Sequence, residues 1–86
     1  MLGRDLIAAN IRRIRVALGV SQERLAFDAG IDRSYLGELE RGEGNPTVDV
    51  LDRIVGTLGI SLADLFAEIE ENAAPNPGLP RGRKPS

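Results

Sequence analysis

The chain has no cysteine, no histidine and no tryptophan, and aromatic residues make up only 3% of it. Without cysteine it can build neither a disulfide framework nor a thiolate metal site. Without histidine it lacks the usual general base and the commonest zinc ligand. A Ser-His-Asp or Cys-His nucleophile system therefore cannot be assembled. No apolar run approaches the roughly 20 residues that cross a bilayer. The N-terminus carries a short apolar patch and no small-residue cleavage signal, so the expected location is the cytoplasm, with no membrane partner. No metal or cofactor is called for, and the chain does not read as an enzyme. What is present is ordinary globular material, with 42% hydrophobic and 28% charged residues. In 86 residues this is enough for one small core and not two.

The formal net charge is −2, from 11 basic and 13 acidic residues. Taken as a total, it argues mildly against a phosphate-rich partner. The distribution says more. Residues 1–24 hold Arg4, Arg12, Arg13, Arg15 and Arg24 against Asp5 and Glu23, while acids gather over 49–71. A chain polarised in this way can present one positive face despite a negative sum.

Hydrophobic spacing is helical throughout, and no strand pattern emerges. Leu6 or Ile7, then Ile11, Ile14 and Leu18, recur at three and four residues, giving a first helix over about 2–18 that stops at Gly19. One local device then appears three times: an apolar residue, a capping residue, and a second apolar residue four places beyond the cap. It reads Val20-Ser21…Leu25, Ile31-Asp32…Leu36 and Ile60-Ser61…Leu65. Each is a side-chain cap reinforced by a hydrophobic staple. Helices are thus expected to start after residues 21, 32 and 61, and Asp64 stands where it can complete a capping box. Thr47 caps a fourth helix, whose stripe is Leu51, Ile54, Val55 and Leu58, and the fifth is expected over about 62–70. From Ala73 the composition changes to Pro75, Pro77, Gly78 and Pro80, which cannot hold a regular helix. The expected architecture is all-α: five helices in a domain over 1–72, and a flexible basic tail over 73–86.

The second and third helices are short and joined by Gly30-Ile31-Asp32. So tight a connection makes them cross steeply, as in a helix-turn-helix. Here the text Ile11-Arg12-Arg13-Ile14-Arg15, followed by GVSQERLAFDAGIDRSYLGELERGEGNPTVDVLDRIVGTLGISLADLF, resembles the lambda-repressor-like, or Cro/C1-type, helix-turn-helix family. The Ser-Gln-Glu-x-Leu-Ala start, the Ala-Gly-Ile turn, the Leu-x-x-Leu-Glu-Arg-Gly end and the Asn-Pro-Thr loop fall in family order over about residues 6–66. The chain looks most like small stand-alone regulators, and Asp32-Arg33-Ser34-Tyr35 resembles the controller proteins of restriction–modification systems. The resemblance implies a homodimeric transcriptional regulator that reads an operator in double-stranded DNA.

The residues themselves support that chemistry. A helix fits the major groove, so the start and one face of the third helix would reach base edges. Arg33 could pair with guanine, Ser34 stands beside it, Tyr35 could pack on a thymine methyl, and Glu38 could accept from cytosine or orient Arg33. The bland alternative is that these are solvated surface residues. Gln22 opens the second helix, where a side-chain amide and free backbone N–H groups can grip a phosphate. Arg41, Asn45 and Thr47 flank the loop where the family clamps the backbone beyond the groove, and Arg12 could face that backbone. Family controllers often carry a basic residue where Gly44 stands. Arg15 and Glu40 match a family ion pair with a structural role.

Apolar Ile60, Leu65 and Ile69 are expected to form a dimer surface on the fifth helix, with Leu62 and Phe66 partly in the chain's own core. The tail sequence Pro80-Arg81-Gly82-Arg83-Lys84-Pro85 resembles an AT-hook arm for the minor groove, set against a plain solvated tail. Two other functions fit the same text. One is an antitoxin that autoregulates its operon and binds a toxin protein. The other is a helical protein-interaction domain without DNA affinity. A regulator would block RNA polymerase or contact it.

Overall fold

Four of the five helices begin on a side chain that accepts the backbone N–H two or three residues on. The computed structural model describes residues 2–68, so Ile69 and the tail expected over 73–86 lie outside the described residues. The helices are α1 (Gly3–Ala17), α2 (Gln22–Ala29), α3 (Arg33–Glu40), α4 (Val48–Leu58) and α5 (Leu62–Leu65). The Ser21 hydroxyl accepts from the Arg24 N–H at 3.0 Å, and Asp32 from Ser34 at 2.9 Å and Tyr35 at 3.3 Å. Thr47 accepts from Val50 at 3.1 Å. Ser61 and Asp64 exchange bonds in a complete capping box. Each such cap is worth about 1 kcal/mol in a helix too short to form alone. The far members of the three staples, Leu25, Leu36 and Leu65, are all completely buried.

The core joins Ile7 and Ile11 of α1, Leu25, Ala26 and Ala29 of α2, Leu36 and Leu39 of α3, the α4 stripe and Leu65. Helix α1 packs on α3 and α5, while α2 packs on α3 and α4. Gly30 makes the α2–α3 turn at φ 73°, ψ 34°, a left-handed conformation that costs other residues dearly. The Ile31 N–H closes back on the Ala26 carbonyl at 2.9 Å, and the small Ala26 and Ala29 let the helices approach.

Two expectations are corrected. Leu18 is 55% exposed rather than in the core stripe. Helix α1 has already ended at Ala17, the Val20 N–H bonds back to the Arg15 carbonyl, and Val20 packs against the core instead. The fifth helix is also one turn, not two. Buried Asn10 of α1 holds the chain where it leaves α5: its amide donates to the carbonyls of Leu65 and Ala67, both at 2.9 Å, and its oxygen accepts from Arg13 at 3.0 Å.

A second polar contact ties α1 to α3. Arg15 grips Glu40 with two parallel bonds, Nε–Oε2 at 2.7 Å and Nη2–Oε1 at 2.9 Å. Its remaining nitrogen, Nη1, donates to the Val20 carbonyl at 2.8 Å, and Gln22 Nε2 donates to Glu40 Oε1 at 3.0 Å. The side chains are only 12% and 3% exposed. Burial pushes the Glu40 carboxyl up. The hydrogen bonds from Arg15 and Gln22, with the charges of Arg15 and Arg12, outweigh it and hold the group below its ordinary value. Glu40 therefore stabilises the fold fully above the unfolded glutamate pKa of about 4.3, and that contribution fades as pH falls through the lower folded value.

Removing one partner by Arg15→Ala strands a buried charge and is expected to cost about 3–5 kcal/mol in urea unfolding at pH 7. Replacing both, by Arg15→Met with Glu40→Met, is expected to cost far less. Titrated from pH 5 to pH 3, the wild type should lose more stability than this double variant, whose carboxylate is gone. Equal acid sensitivity would show that other acids dominate. Asn10→Leu keeps volume but leaves two carbonyls without their donor. It is expected to cost about 1–3 kcal/mol and to speed hydrogen exchange in α5.

Candidate nucleic-acid interface

Helix α3 buries Leu36 and Leu39 and leaves its other side out. Arg33, Ser34 and Glu38 are exposed there, and 34 and 38 are one turn apart on one face. Asp32 caps the helix start, so the backbone of the first turn is fixed while the Arg33 side chain stays free. Among the described residues, neither Arg33 nor Arg12 enters an ion pair, whereas Arg24 pairs with Asp28 at 2.8 Å and Arg41 with Glu43 at 3.3 Å. The last two pairs are exposed and worth little, so either arginine can exchange its partner for another anion. Tyr35 is half-buried against the core, and only part of its ring is available outward.

Gln22 lies at the first turn of α2, half-buried, with its amide on Glu40. The Ser21 cap takes the Arg24 N–H, and the N–H groups of Gln22 and Glu23 have no acceptor within the helix. Gly37 is the residue the sequence reading passed over. It is buried mid-helix in α3, where glycine costs about 1 kcal/mol. A β-carbon there would sit 3.4 Å from Arg41 Nη1 and 3.9 Å from Gln22 Oε1. The absence of a side chain at Gly37 thus lets Gln22 at the start of α2 and Arg41 at the end of α3 meet over it. The available signal was a glycine inside an otherwise regular helical period.

Asn45 and Thr47 are exposed on the loop after α3, and the Thr47 hydroxyl is engaged as the α4 cap. Gly44 adopts φ 129°, and a β-carbon on it would meet Leu39 Cδ2 at 3.3 Å. The loop is built for glycine, so a basic side chain at this position would strain it. Arg12 is exposed on α1, and its charge reaches Glu40. The structure therefore places Gln22, Arg41 and Arg12 around the Glu40 end of α3, and Arg33, Ser34 and Glu38 towards its start. It leaves Tyr35 partly in the core. Among the described residues, no group of three or more acidic side chains is placed to hold a metal ion, and no helix is long and apolar enough to cross a membrane.

The helix-turn-helix family model matches residues 11–65, which runs from α1 to the end of α5. The uncharacterized HTH-type transcriptional regulator y4dJ of Sinorhizobium fredii is 37% identical over 68 residues, covering 79% of this chain and 88% of that protein. Control protein C.BamHI of Bacillus amyloliquefaciens is 36% identical over 64 residues, covering 73% and 79%. The crystal structure of the restriction-modification controller protein C.AhdI from Aeromonas hydrophila superposes with a TM-score of 0.71 at 38% identity, covering 73% of this chain and 96% of that one. The chain thus matches these regulators both in sequence and in space, and it belongs to the Cro/C1-type helix-turn-helix family of DNA-binding transcriptional regulators.

Proposed function

We propose that the chain acts as a homodimer on an inverted-repeat operator, with α3 in the major groove of each half-site. The observation that carries this reading is the free flank of α3: Arg33, Ser34 and Glu38 are exposed on a helix whose opposite side is locked into the core. In this arrangement Arg33 gives guanine a bidentate pair, and Ser34 and Glu38 read neighbouring base edges. The exposed part of Tyr35 packs on a thymine methyl. Gln22 and the free N–H groups at the α2 start hold one phosphate, and Arg41, Asn45, Thr47 and Arg12 hold the backbone around it. These backbone contacts fix register and carry no sequence information.

The dimer surface needs revision within this reading. Leu65 is completely buried in its own core and cannot cover a partner, whereas Phe66 is 46% exposed beside half-buried Ile60 and Leu62. The staple explains the exchange, because Leu65 is the apolar anchor of the Ser61 cap. Two copies joined through Phe66, Ile60 and Leu62 would set their recognition helices about 34–36 Å apart, one turn of DNA. Bound there, the dimer would exclude RNA polymerase from the promoter or contact it.

Selection of duplexes from a random library is expected to enrich an inverted repeat with half-sites about one turn apart. Arg33→Ala should lose about 1–3 kcal/mol of discrimination at one position of each half-site. Arg41→Ala should instead weaken all sequences alike and reduce the salt slope by about one. Phe66→Glu should give a monomer by light scattering and abolish preference for paired half-sites. Absence of enrichment, together with no affinity at low salt, would overturn the reading.

A further inference from the structure

We infer that Glu40 is a positioning residue for DNA binding and acts through Gln22, an inference that rests on the phosphate role given to Gln22 above. A carboxylate can only accept hydrogen bonds, so the end of the Gln22 side chain that faces Glu40 must be its NH2 group. The observed Nε2–Oε1 distance is 3.0 Å. Glu40 cannot swing away to accommodate another orientation. Arg15 holds its two oxygens at 2.7 and 2.9 Å, and Arg15 is itself fixed at 2.8 Å to the Val20 carbonyl, in the turn just before α2. The direction of the Gln22 amide is therefore set from beneath by a buried, immobile charge.

The consequence lies at the outer surface. One hydrogen of the NH2 group is taken by Glu40, which leaves the second as the donor available to a phosphate. The carbonyl oxygen turns the other way and lies over buried Gly37, where the Arg41 guanidinium also lies. An unrestrained glutamine presents its carbonyl as readily as its amide, and a carbonyl facing a phosphate oxygen is repelled. Glu40 removes that alternative and leaves Gln22 less side-chain freedom to lose on binding. Arg15 neutralises Glu40, so the orienting carboxylate does not repel the DNA it helps to bind.

The test compares Gln22→Met, Arg15→Met with Glu40→Met, and the three substitutions together, each titrated against the duplex selected for the wild type. Replacing the ion pair by methionines leaves no buried charge unpaired, so the fold survives, which a thermal melt verifies. Its expected effect on DNA affinity is a loss of about three- to tenfold, the cost of ordering a free side chain. The salt slope should stay unchanged, because Gln22 is uncharged. In the Gln22→Met background the same replacement should make no further difference. Equal losses in both backgrounds, or no loss in either, would overturn the inference and leave the operator reading intact. If the wild type binds no duplex at all, the operator reading fails and this inference falls with it.

A second readout needs no DNA. Gln22 is the only glutamine in the chain, so its side-chain NH2 signals can be assigned directly by NMR. They should be displaced from free-glutamine positions in the wild type and return to them in the methionine pair. Free-glutamine signals in the wild type would also overturn the inference.

Discussion

The guanidinium of Arg15 holds three parts of the chain at once: α1, on which it sits, the carbonyl of Val20 in the turn before α2, and Glu40 at the end of α3. Every helix of the helix-turn-helix is thereby referred to α1. A core of about a dozen apolar residues packs these helices together, and a bidentate pair with almost no exposure adds a fixed, directional contact between α1 and α3. Helix α3 is only eight residues long, so its last residue, Glu40, anchors it within about two turns of its start.

Around that anchor, each helix is terminated by local chemistry. The Ser21, Asp32, Thr47 and Ser61 caps satisfy backbone groups that short helices would otherwise leave exposed. Capping also fixes which side chains stand in each first turn. At α2 it leaves the N–H groups of Gln22 and Glu23 without an acceptor in the helix, and at α3 it leaves the Arg33 and Ser34 side chains exposed. These are the groups proposed above to meet phosphate and bases.

The C-terminal end obeys a different control. Asn10 reaches from α1 to the carbonyls of Leu65 and Ala67, where α5 ends after one turn. Its amide is satisfied on every side, so a polar side chain is tolerated with no exposure at all. Phe66, exposed directly after α5, thus stands between two carbonyls held from α1, 55 and 57 residues away in sequence.

Local signals determined the helix starts, the glycine turn and the membership of α3 in a recognition motif, since caps, staples and left-handed glycines act within about five residues. Periodicity identified Ile11 and the α4 stripe as core for the same reason, and left Leu6 and Ile7 as alternatives of which the structure buries Ile7. The Arg15–Glu40 pair entered through family resemblance. Its partner Gln22 could not be read, because nothing in the spacing of 15, 22 and 40 says that they meet. Leu65 shows how two local readings conflict: as a staple it belongs inside, and as part of an apolar helix face it belongs at an interface. Only the tertiary structure decided between them, by burying it completely. The burial of Asn10, the exposure of Leu18 and the meeting of Gln22 with Arg41 over Gly37 were likewise decided by the tertiary structure, because burial depends on what packs opposite a residue as well as on the residue itself.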